Sequence, residues 1–174
     1  MDINDTYAEP AINEGYLPYW AKDDGVVSIY FGNRMSNFAQ DLITGYYLEA
    51  GYRVEQANDY HEAEIKFHGN MNVGDPDRPD TWAVFDENNN ELYINTEAIK
   101  GVPRKETNTA AGYVLARAVG MTCGLAPYST KNNNGCKDSV MGDCLYKHVK
   151  KGMALDYFSD QDQLLMDAVF DAFP

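Results

Sequence analysis

Basic residues are scarce in this chain of 174 residues: 14 Lys and Arg stand against 27 Asp and Glu, for a net charge of −13. Binding to nucleic acid phosphates needs clustered Lys and Arg, so that class is excluded, and adhesion to an anionic membrane with it. The acids are scattered rather than striped, which reads as a self-repelling surface and not as a mimic of DNA. No apolar run reaches the roughly 18 residues of a membrane-spanning helix. Met1–Thr6 is acidic and polar, without the basic start and apolar stretch of a signal peptide. A glycine-rich phosphate loop and a nucleophile elbow are both missing. Histidine is nearly absent, with His61, His68 and His148 the whole supply.

Cysteine is also sparse. Cys136 and Cys144 flank Val140–Gly142; either they close a short loop in an oxidising compartment and leave Cys123 over, or all three thiols stay reduced. A thiol-protease pair of Cys123 and His148 lacks any recognisable third group to orient it, so a buried, inert cysteine is the expectation.

What is present is enough for one core: 44% of the residues are hydrophobic, a normal supply for a single domain of this length. Residues 1–24 read as an N-terminal arm whose Tyr16, Tyr19 and Trp20 tuck against the body, and 25–174 as one domain. Val26–Phe31 is short, β-branched and aromatic, and predicts a strand. Ser36 caps an amphipathic helix over 36–50, with Phe38, Ala39, Leu42, Ile43, Tyr46 and Tyr47 at helical spacing and Gly51 ending it. Tyr52–Gln56 and Ala63–His68 read as strands. Thr81–Phe85 and Glu91–Asn95 form a hairpin across Glu87–Asn90. A central helix over about 108–120 starts at a Thr107 or Asn108 cap, and a long loop follows it. Ser159–Asp162 resembles a capping box, opening a last helix with Leu164, Leu165, Ala168, Val169 and Phe173 on its apolar face. Strands mixed with a few helices predict an α+β domain, a sheet backed by helices.

Thr109–Cys123, followed by Ser139–Gly142, carries the strongest functional signal. Together with the strand Ala63–Phe67, the segment Asp80–Ala83, Glu91–Asn95 and Phe158–Asp162, taken in order over about 26–173, it resembles the catalytic domain of the matrixins, in the metzincin group of zincins. The resemblance implies a zincin-like fold: a mixed twisted sheet, an active-site helix, a methionine turn at Met141 and a C-terminal helix. The family's helix carries H-E-x-x-H-x-x-G-x-x-H. With Gly120 as the glycine, Tyr113 and Arg117 stand at the first two histidine positions, Val114 at the glutamate and Cys123 at the third histidine. Arginine cannot ligate zinc, and valine cannot take a proton, so no catalytic residue is assigned. Arg117 either brings a fixed positive charge to the place of the dication or points to solvent.

The resemblance therefore implies a pseudopeptidase without zinc that still binds an extended peptide or protein, by strand addition along Leu92, Tyr93 and Ile94. It also implies a secreted or cell-surface setting. Asp75, Asp77 and Asp80 are calcium candidates in a Gly/Pro loop. Two alternatives stand beside this reading. One is an active zinc peptidase that recruits stray histidines to Cys123; the other is a structural or interaction domain that uses another face.

Overall fold

The computed structural model describes residues 11–13, 16, 18, 20, 25–32, 34–69, 72–103, 107–127, 139–142, 158 and 160–171. Cys136, Cys144, His148, Tyr19, Asn108's side chain and the Ser159 cap lie outside that description.

Strand β1 is Ala11–Ile12, β2 Val26–Phe31, β3 Arg53–Gln56, β4 Ile65–Gly69, β5 Ala83–Asp86, β6 Glu91–Ile94 and β7 Leu125–Ala126. Helix α1 is Asn37–Glu49, α2 Thr96–Lys100, α3 Thr107–Thr122 and α4 Asp160–Asp171. Five strands form one sheet in the order β3-β2-β4-β6-β5. The β3–β2, β2–β4 and β4–β6 pairs are parallel, and β5 runs antiparallel to β6. This is an α+β domain with a mixed sheet, as its strands mixed with a few helices predict.

Local chemistry explains the boundaries. Ser36 accepts from the Ala39 amide and starts α1, as expected, and Gly51 ends it at φ +97°. Val27, Ile29, Ile65, Phe67, Leu92 and Ile94 are fully buried, one alternating face of the sheet. Helices α1 and α3 pack on each other, and α3 packs on the β5–β6 hairpin. The hairpin turn puts Asn90 at φ +54°, a left-handed position asparagine tolerates.

Three expectations need correcting. Glu91–Ile94 is not an edge strand: β4 occupies one side of it and β5 the other. Leu92 and Ile94 are buried and Tyr93 half-buried, so Leu92, Tyr93 and Ile94 offer no free edge to a peptide. Among the described residues the outer strands are β3, largely exposed and polar, and β5. Second, the central helix runs from Thr107 to Thr122, so Thr107 lies inside it; its hydroxyl donates back to the Val102 and Pro103 carbonyls. Third, the buried face of α4 holds Asp162 and Met166, while Leu164 is 64% exposed and Ala168 also faces water. Phe38 on α1 is likewise half exposed.

The described residues of the arm, among them Tyr16 and Trp20, pack on the body. β1 pairs antiparallel with β7, and the Asn13 amide donates to the Gly124 carbonyl. Tyr16 packs edge-on against Phe85 and donates to Asn90 Oδ1, and Trp20 packs against Tyr47 and Tyr52.

Candidate functional site

Residues 113, 117 and 120 are spaced by four and three, so they share one face of α3. That face meets the turn Ser139–Gly142, in which the Gly142 amide donates to the Ser139 carbonyl at 3.1 Å. The geometry is a tight turn with Val140 and Met141 at its corners, both fully buried.

Three contacts join helix and turn. Tyr113 Oη donates to the Gly142 carbonyl at 3.1 Å, and Arg117 Nη1 donates to the Val140 carbonyl at 3.1 Å. Met141 lies against Gly120, where an added Cβ would come within 2.7 Å of its sulfur. From the far side Asp162 of α4 takes the Ser139 hydroxyl on both carboxylate oxygens at 2.9 Å. Ser139 Oγ in turn accepts from the Met141 amide at 3.1 Å. The turn is thus held between α3 and α4. Arg117 is buried, with 4% of its surface exposed, and does not point to solvent.

Gly120 is therefore a packing residue. Glycine inside a helix costs about 1 kcal/mol against alanine, yet overpacking a tight core costs about 1–3 kcal/mol. The 2.7 Å approach to a fully buried methionine decides the sign. Gly120→Ala is expected to lower stability by about 1–2 kcal/mol; a variant as stable as the parent in urea would show that Met141 moves aside freely.

Cys123 does not join this group. In a helix that continues through Thr122, it sits roughly 80° round the axis from Tyr113. Its thiol is fully buried and free, and its electrostatic neighbours are Tyr16, Tyr47 and Tyr52. Burial pushes it from 9.0 up to about 12, so the nucleophilic thiolate is suppressed. Burial of this thiol favours the fold fully below about pH 9, and the contribution is lost as pH rises toward 12. Native protein at pH 8 is expected to resist alkylation at Cys123 until it unfolds, and stability to fall above pH 9. Rapid stoichiometric labelling of Cys123 in the native state, read by peptide mass, would contradict the burial.

The helix ends at a different glycine. Gly124, at φ +95°, follows the last turn, whereas Gly120 lies within α3. Two ligands on a helix and a third beyond it need the chain to leave the helix at the glycine between them. The spacing of the pattern laid on Gly124 falls on Arg117, Ala118, Met121 and Pro127. Arg117 is the one position common to the count from Gly120 and the count from Gly124. The clue available in sequence was Gly124 itself, since a glycine one residue past an apolar helix is the usual stop.

Neither frame supplies a zinc set. Guanidinium has no lone pair, alanine and valine have no donor atom, and proline and methionine do not replace imidazoles. The residues present do not fit zinc at this place. His68 stacks on Tyr93 and His61 packs on Tyr60. Asp75 Oδ1 accepts the Asp77 amide, and Asp80 pairs with Arg78 at 3.0 Å. Among the described residues, no group of three His, Cys, Asp or Glu is placed to hold a metal ion, so Asp75, Asp77 and Asp80 do not converge. No described helix is long and apolar enough to cross a membrane.

No protein-family model matches the chain, and no curated protein matches it significantly.

Proposed function

We propose that this chain is a matrixin-like pseudopeptidase, a zincin-type domain whose metal centre has been replaced by a hydrogen-bonded plug, and that it binds extended peptide. The observation that carries this reading is the pair of bonds from Tyr113 and Arg117 to the carbonyls of the Met141 turn. A cationic side chain on the helix face that would carry ligands, fastened to a methionine turn beneath it, occupies the metal's place and gives no water to activate. A mixed sheet with one antiparallel outer strand, and α3 packed on that strand, supports the same reading.

The peptide surface moves to β5. The Asn95 amide donates to the Trp82 carbonyl, so by antiparallel alternation the backbone groups of Ala83 and Phe85 point away from β6. Those are the groups an added strand would pair with. Phe85→Pro removes one outward donor, and Phe85→Leu keeps it while losing the same ring. Peptides selected from a displayed random library on the parent protein are expected to bind the leucine variant and to lose about tenfold or more on the proline variant. Equal retention by both variants would place binding elsewhere, and favour the reading as an interaction domain that uses another face.

A further inference from the structure

A cavity of about 180 Å3 lies between the start of α1, the end of β6 and the first turns of α3. Ile94, Leu115 and Met35 line it and are themselves buried. Thr107 and Ala111 continue the Leu115 face of α3 at four-residue spacing, and their small side chains leave the space open. Arg34 and Lys100 also line it, and among the described residues no acidic side chain does. In a chain of net charge −13 this is the reverse of the average surface. Lys100 keeps only a loose, exposed pair with Glu97 at 3.7 Å. Arg34 has no ion pair among the described residues. Its backbone is held close to the end of β4, where a Cβ on Gly69 would lie 2.7 Å from Arg34 Cβ. Phe38, also in the lining, is 49% exposed.

We propose that this cavity binds a small apolar carboxylate, with the apolar body inside and the carboxylate held by Arg34 and Lys100. An apolar cavity of about 150 Å3 takes a benzene-sized molecule, so this one suits a single ring or one branched aliphatic group. The two cations supply charge-assisted donors to an anionic head. The site uses no residue of the methionine turn and stands independently of the pseudopeptidase reading.

Titration calorimetry with phenylacetate tests it, with phenylacetamide as the uncharged control. Phenylacetate is expected to bind saturably at one per chain, and phenylacetamide about tenfold more weakly. The double variant Arg34→Gln/Lys100→Gln is expected to lose about tenfold for phenylacetate and nothing for the amide. Ala111→Leu fills the space and is expected to abolish both; if it does not fold, the double variant decides. No saturable binding to the parent overturns the proposal, as does an amide that binds equally well. So does a peptide ending in a free phenylalanine carboxylate that binds where phenylacetate does not.

Discussion

Replacing four residues together, Arg117→His, Ala118→Glu, Met121→His and Pro127→His, is expected to turn this chain into one that holds a zinc ion. Positions 117 and 121 lie one helical turn apart on α3, as two imidazoles on one metal require. Gly124 at φ +95° turns the chain out of the helix before position 127. Met141 lies against Gly120, on the neighbouring side of the same helix. Structural zinc contributes on the order of 10 kcal/mol of binding free energy, so the contrast with the parent is large even if the rebuilt site is poor. The comparison set is Tyr113→His, Val114→Glu, Arg117→His and Cys123→His. Both sets place a carboxylate at a fully buried position, Ala118 or Val114; what separates them is that the third histidine of the comparison set lies roughly 80° away round the helix. Metal analysis after dialysis is expected to give about one zinc per chain for the first set and none for the second. A first set that folds and holds no zinc would remove the matrixin-like reading of this helix.

Asp162→Ala is expected to be the most damaging single truncation of the site. Asp162 is fully buried and accepts the Ser139 hydroxyl on both oxygens. Hydrogen bonds to a charged group contribute about 1.5–3 kcal/mol, and orphaning Ser139 adds a desolvation cost. A loss of about 3 kcal/mol, or roughly 6–12 °C in Tm for a domain of this size, follows. Asp162→Asn keeps an acceptor and should lose less. Because Ser139 relays the contact to the Met141 amide at 3.1 Å, Ser139→Ala and Asp162→Ala are expected to be strongly non-additive. Faster hydrogen exchange at the Met141 amide in the Asp162 variant locates the damage. Additive losses with that amide unchanged would mean the turn is held by other means.

Much of this could be read from residues alone, and what could not has a physical reason. Val26–Phe31 announces itself by β-branched and aromatic content, and α1 by Ser36 and Gly51, because those signals are local. The order of strands in the sheet is not local: the β5–β6 hairpin reads the same whether β4 covers the other flank of β6 or leaves it open, so nothing in the residues shows that Leu92, Tyr93 and Ile94 have no free edge. Gly120 and Gly124 are one helical turn apart, so apolar periodicity fits either as the helix stop. Only the backbone angle at Gly124 separates them. Arg117 survives the shift because it is four residues from Tyr113 and seven from Gly124, and so holds a histidine position in both frames. The bonds from Tyr113 and Arg117 to Gly142 and Val140 span 29 and 23 residues, a distance no spacing rule reaches.

The two outer strands of the sheet differ in one respect that bears on self-association. β3 presents Arg53, Glu55 and Gln56 to water, and charged side chains on an edge strand discourage pairing with another chain. β5 carries Ala83, Val84 and Phe85, with a charge only at Asp86. Among the described residues one edge is guarded and one is open; such a molecule can join a second copy through the open edge, and the pair then exposes only guarded edges. Sheet-to-sheet growth in this protein is expected to stop at two.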